Sequence, residues 1–307
     1  MAQQLSTQGL GERAQAGGLQ HRTYFRLFWS QLNQSPLAMG SLFILVALCL
    51  AAVLAPWISD VVAYDPKEPF VGGRNEGPSA AHWFGTDHLG RDLFSRVLWG
   101  SQISLSIGLM VALLSVGIGA LLGAMSGFFG GKVDTLIMRF TDVWLNFPGI
   151  FFLIAIVTIL EPSFWNLIWA IGILSWPSIC RIVRANILSL KEREFILAAR
   201  AIGAGGFRII VRHLMPNTMA PVIVNATLTV AGAILSEAGL SYLGLGVQPP
   251  TPSWGNILFD GKPFLITGQN FWYTFFPGLF IFITVLCINF LGDGLRDALD
   301  PKVSTKR

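Results

Sequence analysis

RIVRANILSLKEREFILAARAIGAGGFRIIVRHLMPN, residues 181–217, is a basic, amphipathic interruption between two long apolar runs. Seven Lys/Arg residues lie in it (Arg181, Arg184, Lys191, Arg193, Arg200, Arg208, Arg212) against two acids, Glu192 and Glu194. Its local chemistry predicts two short helices with a break. Ser189 and Glu192 have capping-box spacing just ahead of Phe195, Ile196 and Leu197. The first helix is expected to end near Gly203, because Gly203, Gly205 and Gly206 permit positive φ. A second is expected from about Phe207, with Phe207, Ile210, Val211 and Leu214 on one face and Arg208 and Arg212 on the other. Pro216 is expected to close the segment before the next apolar run. A plain connection between apolar helices has no need of a helix–glycine–helix unit. This one has the shape of a plug for a partner protein.

The flanking runs define the class. Of 307 residues 53% are hydrophobic and 12% charged, about half the charged share of a soluble domain. A helix needs about 20 apolar residues to cross a bilayer core, and six stretches meet or approach this: about 37–58, 103–128, 136–159, 164–182, 219–240 and 271–292. Pro177 interrupts the fourth, as a spanning helix tolerates when neighbours satisfy the freed carbonyl. The expected fold is an all-α polytopic membrane protein. Loop charge sets its orientation. With the N-terminus inside, only Lys67, Arg74, Arg91, Arg96 and Lys262, five of the 21 Lys/Arg, face outward; both termini and residues 181–217 are then cytoplasmic. The net charge of +4 is therefore a topology signal and not a nucleic-acid one. Cys49, Cys180 and Cys287 form no Cys-x-x-Cys pair, so neither a disulfide framework nor a zinc site is expected. Residues 1–22 are expected to be disordered. Residues 24–34 read either as an interfacial helix or as the flank of the first span.

Between the first two runs, HWFGTDHLGRDLFSR (82–96) places Gly85 and Gly90 at tight turns. Asp87, Arg91, Asp92 and Arg96 are spaced for a local ion-pair set beside Thr86 and Ser95; contact with an external partner is the other reading. His82 and His88 match no metal-ligand spacing. Gly119-x3-Gly123-x3-Gly127, with Gly108 and Ala112 near the same stripe, is a close-packing face within the subunit or against another. Asp142 and Asn146 precede Pro148; Asp142 either lines a pathway or pairs with Arg139. Asn225 lies in the fifth run, and Glu237 near its outer end faces a substrate or caps the span. Asn289 is expected to bond between helices. Pro249-Pro250-x-Pro252 predicts a rigid, extended loop, and Arg296 and Asp300 are spaced for an ion pair. A phosphate-cradling G-x4-G-K-[ST] loop is missing, as are the common hydrolase and dinucleotide motifs.

Ala198-Ala199-x3-Gly203 followed by Pro216-Asn217 resembles the EAA loop of bacterial ABC importer permeases. The departures are Leu197 for the motif Glu, His213 for Ile and Met215 for Leu. The GTD-x2-GRD-x2-SR run (Gly85, Thr86, Asp87, Gly90, Arg91, Asp92, Ser95, Arg96), the Pro-rich loop with Trp254, and the GDGLRDALDP ending at Pro301 resemble the C-type permease subunit of dipeptide and oligopeptide importers. The resemblance implies a type I importer fold of six transmembrane helices with a cytoplasmic coupling helix, carrying Ala198, Ala199, Arg200, Gly203, Ala204, Gly205 and Pro216. The implied layout is a tail and interfacial helix (1–36), a first span and external segment (37–102), a transporter domain (103–293) with its coupling loop at 181–217, and a cytoplasmic tail (294–307). The implied partners are a second, different permease subunit, two ATPase subunits that bind ATP and magnesium, a periplasmic or lipid-anchored binding protein, and membrane lipid. No cofactor, metal or catalytic residue is expected on this chain. The implied cargo is a di- or oligopeptide, with nickel, glutathione and antimicrobial peptides as alternatives. A carrier or channel independent of ATP is the rival class, for which the chain shows no internal repeat.

Overall fold

The computed structural model describes residues 28–62 and 64–299. After a helical turn at 28–33, ten helices follow in chain order: α1 (Pro36–Val53), α2 (Ala55–Val62), α3 (Leu93–Phe129), α4 (Gly131–Asn146), α5 (Gly149–Leu160), α6 (Phe164–Leu190), α7 (Glu194–Ala201), α8 (Gly206–Tyr242), α9 (Trp254–Thr267) and α10 (Trp272–Leu299). Five of them (α1, α3, α6, α8 and α10) are long and apolar enough to cross a membrane, and α4 with α5 makes a sixth span if the pair is one. The run expected as the third span is bent, because α4 and α5 meet at 88°. Pro148 is the cause. It forces Phe147 out of the helical region (φ −79°, ψ 132°), as a residue before proline must go.

The core of the bundle is the pair α3 and α6 packed along the small-residue stripe. A β-carbon on Gly119 would lie 2.7 Å from the Trp176 carbonyl oxygen, one on Gly123 2.5 Å from that of Cys180, and one on Gly127 2.9 Å from Ile187 Cβ. The stripe therefore packs within the subunit. Gly108 belongs to a different face, against Val230 and Ile234 of α8.

Several boundaries differ from those expected. The helix after Ser163, which caps it through Asn166 N, runs through Pro177 to Leu190. Arg181, Arg184 and Ser189 therefore lie inside α6, and the Ser189–Glu192 capping box does not form. Val183 and Ile187 are fully buried in a cluster with Ala120 and Ala124 of α3, and that burial carries the helix past the Ser. Pro216 does not end a segment either. α8 is continuous from Gly206 to Tyr242, with a π-helical turn at Ile210–Leu214 just ahead of the proline. The Pro-rich loop is a chain of turns, not an extended strand; its Pro249–Pro250 bond is cis. Asp300 lies outside the described residues, as do 24–27 of the 24–34 segment and the termini. Leu32 of that N-terminal segment packs with Ala38 of α1 and Ala298 of α10.

Candidate functional site

The two ends of the bundle carry the functional candidates. At one end, α7 closes with the αL glycine it needs. Gly203 has φ +82°; its N–H donates to Arg200 O (2.9 Å) and that of Ala204 to Ala199 O (3.0 Å). This is the paired bond set of a Schellman cap. Ala199, Ile196, Ile209 and Leu214 are buried and seat the unit on α3 and α6. The Arg200 guanidinium lies 5.7 Å over the Phe128 ring at the end of α3, and Ala204 is half-buried. Ala198, Gly203, Gly205 and Pro216 are exposed. Beyond this anchored base the tip is bare: Ile202 is 87% and Phe207 81% exposed, with Leu197, Phe195 and Val211 also exposed beside Arg193, Arg208 and Arg212.

At the opposite end, the 82–96 motif folds as a buried polar knot. Gly85 (φ +81°) and Gly90 (φ +72°) make the expected turns. A β-carbon on either would strike a carbonyl oxygen, Glu76 O at 2.4 Å or Gly72 O at 2.5 Å. Thr86 Oγ1 donates to Gly73 O and accepts from Glu76 N. Asp87, fully buried, accepts from Arg91 Nε (2.6 Å) and Arg96 Nη1 (2.6 Å). Burial alone would raise its pKa, but Arg96 and then Arg91 outweigh that and hold the carboxyl below the usual range. Asp92 is not part of this set. It caps α3 through Ser95 N (2.8 Å) and accepts from or faces His82 Nδ1 (2.9 Å). His88 Nδ1 instead meets Tyr273 Oη at 2.9 Å, so the two histidines serve different partners. The residue that pattern reading missed is Asp260 of α9, 3.2 Å from Arg96 Nη1 and 3.6 Å from Arg91 Nη2. The pairing is more than 160 residues distant and leaves no local signal.

The polar residues assigned to the spans resolve individually. Asp142 pairs with Arg181 Nη2 (2.6 Å), not with Arg139, and the pair is half-exposed. Asn146, Asn225 and Asn289 each donate to the carbonyl four residues earlier, of Asp142, Pro221 and Val285. Among the described residues Asn289 therefore makes no interhelical amide bond. Arg184 clasps Asp134 through Nε and Nη2, and Ser126 of α3 also donates to that carboxylate. This second tie between α4 and α6 was not anticipated. Glu237 is fully buried among serine hydroxyls from α3, α8 and the start of α9.

The fold is shared with a chain of the MetNI methionine ABC transporter in an inward-facing conformation, with a TM-score of 0.56 and 19% identity over 68% of this chain and 98% of that one. The fold is thus one found in an ABC transporter. Residues 119–305 match the family described as the binding-protein-dependent transport system inner membrane component, and residues 23–78 match the N-terminal transmembrane domain of oligopeptide transport permease C. The chain is 43% identical over 283 residues to the dipeptide transport system permease protein DppC of Bacillus subtilis, covering 92% of this chain and 87% of that one. It is 44% identical over 285 residues to the glutathione transport system permease protein GsiD of Escherichia coli O157:H7, covering 92% of each. It belongs to the binding-protein-dependent transport system inner membrane component family, as a C-type permease subunit.

Proposed function

We propose that this chain is one of two different permease subunits of an importer for di- or oligopeptides, driven by separate ATPase subunits. It forms half of the pathway and performs no catalysis; ATP and magnesium bind on the ATPases, and an external binding protein delivers the cargo. Both termini and the α7 end face the cytoplasm, as the loop charges favour. A glutathione cargo is the second reading, favoured by the GsiD likeness; glutathione is itself a small peptide.

The observation that carries the coupling role is the α7–Gly203–α8 tip. Its base is buried, yet it presents Ile202 and Phe207 to solvent beside four arginines. Apolar side chains held rigidly in the open mark a protein contact, and arginine is enriched in such contacts. The test is Ile202→Asp with Phe207→Asp, and separately Gly203→Pro. Proline cannot adopt φ +82° and removes the N–H bound to Arg200 O. Each variant is expected to insert in the membrane normally, to lose at least tenfold of ATPase co-purification (about 1.4 kcal/mol) and to abolish uptake. Full ATPase recovery with the double aspartate variant would overturn the assignment.

A further inference from the structure

Glu237 sits at the end of α8 farthest from the tip, and its surroundings are built. Oε1 accepts from Ser241 Oγ (2.7 Å) and Ser253 Oγ (2.8 Å), and Oε2 from Ser104 Oγ (3.2 Å). Two of those hydroxyls have a second duty. Ser253 Oγ accepts from Asn256 N (3.1 Å), and Ser104 Oγ accepts from Trp254 N (3.3 Å). Those N–H groups belong to the first turn of α9, which has no partner within its own helix.

A hydroxyl has one proton. Where the proton goes to the carboxylate, the lone pairs stay free for α9. Glu237 thus orients two caps at once, one from α3 and one from the Ser253 that begins α9. The fit is close as well as polar: a β-carbon on Gly255 would lie 2.5 Å from Ser241 Cβ and 2.9 Å from Ala238 Cα. Farther along α9, Asp260 is held by Arg96 and Arg91. Helix α9 is therefore pinned at its start to α8 and along its length to the 82–96 knot.

We infer that Glu237 is a positioning residue for transport: through Ser104 and Ser253 it locks the start of α9 to the end of α8, so that α9 follows α8 when the tip is moved. Its role is neither to face the substrate nor merely to end a span. The inference rests on the proposed importer function for its consequence, though not for the lock itself.

The test uses the assembled transporter in nanodiscs, with E237Q, S253A and S253T. Gln replaces one acceptor oxygen by a donor, so at least one hydroxyl must redirect its proton. Hydrogen exchange of the 254–257 amides is expected to quicken roughly tenfold in E237Q and S253A and to stay at the native rate in S253T, which keeps the hydroxyl. Substrate moved per ATP hydrolysed is expected to fall at least fivefold in E237Q and S253A while ATP hydrolysis continues, and to recover in S253T. Native exchange in E237Q overturns the lock. Faster exchange with an unchanged transport ratio overturns the role in transport. Should E237Q fail to insert, S253A reads the same lock with Glu237 in place. A native complex that moves no peptide refutes the importer reading alone, since the exchange measurement needs no substrate.

Discussion

Gly123→Ala adds one methyl group where there is no room for it. The new carbon would stand 2.5 Å from the Cys180 carbonyl oxygen, 2.9 Å from Val183 Cβ and 3.2 Å from Arg184 N. Two of these are backbone atoms of α6, so no rotamer change relieves the contact. A carbon and a carbonyl oxygen approach to about 3.3 Å at the closest ordinary contact, so the helices must part locally by about 0.8 Å. Gly119 and Gly127 lie on the same seam, and Ile179, Val183 and Ile187 are fully buried along it. A gap of 0.5–1 Å forfeits roughly a quarter to a half of the dispersion well of each pair across it. In a bilayer, helix association depends on just such packing. The expected cost is about 1–3 kcal/mol.

The control lies in the same helix. A β-carbon on Gly117 meets nothing within 4 Å, so Gly117→Ala relieves the helix penalty of glycine, about 1 kcal/mol, with nothing to oppose it. Thermal unfolding of the purified chain in detergent compares the two. At roughly 2–4 °C per kcal/mol, Gly123→Ala is expected to lower Tm by roughly 2–12 °C and Gly117→Ala to leave it unchanged or higher. Equal midpoints would refute the seam. A loss seen only in the assembled complex would move the stripe to the subunit interface.

Asp87→Asn strips Arg96, 1% exposed, of its principal anion, and unpairing a buried charge costs about 3–5 kcal/mol; a sharply lower detergent midpoint is the readout. The same carboxylate makes stability depend on acid. Its folded pKa is depressed, so its contribution is complete above the unfolded value of about 3.9 and is lost as pH falls through the folded one. Below about pH 4 the native chain should lose stability faster than Asp87→Asn does. Asp142→Asn breaks only the half-exposed Arg181 pair, worth about 0–1 kcal/mol. Tm should hardly move, and a large fall in uptake at constant Tm would assign Asp142 to the pathway.

What local chemistry dictates was legible before any coordinates. Gly203 and the Gly85/Gly90 turns need positive φ, and only residue type is required to see that. The stripe at Gly119, Gly123 and Gly127 announced close packing but not its partner, because the facing side chains of α6 lie some 60 residues on. The break at Pro148 was in the sequence, and counting apolar length across 136–159 concealed it. Helix α9 was hidden for the opposite reason. Gly255, Gly261 and Pro263 argue against a helix, and the Ser253–Asn256 capping box argues for one only when the burial of Trp254 is known. The pairs Arg184–Asp134, Arg181–Asp142 and Arg96–Asp260 are fixed by how the helices stack, which no spacing rule reports.

The π turn decides how motion can pass along the chain. A proline inside an α-helix lacks an N–H and crowds the carbonyl four residues earlier, here that of Arg212. In Ile210–Leu214 the turn is wider, and the Met215 N–H reaches back five residues to Ile210 O. The helix absorbs Pro216 without breaking, and Leu214 stays fully buried beside Ile196 and Ile209. One rod therefore runs from the exposed Phe207 to Glu237, about 45 Å at 1.5 Å per residue. Had Pro216 closed the segment, a push on the tip would have been taken up by a loop. With the helix unbroken, a displacement at Phe207 reaches the far end as a tilt or shift of α8, and the serines around Glu237 pass it to α9. The exposed tip and the buried carboxylate are thus two ends of one element.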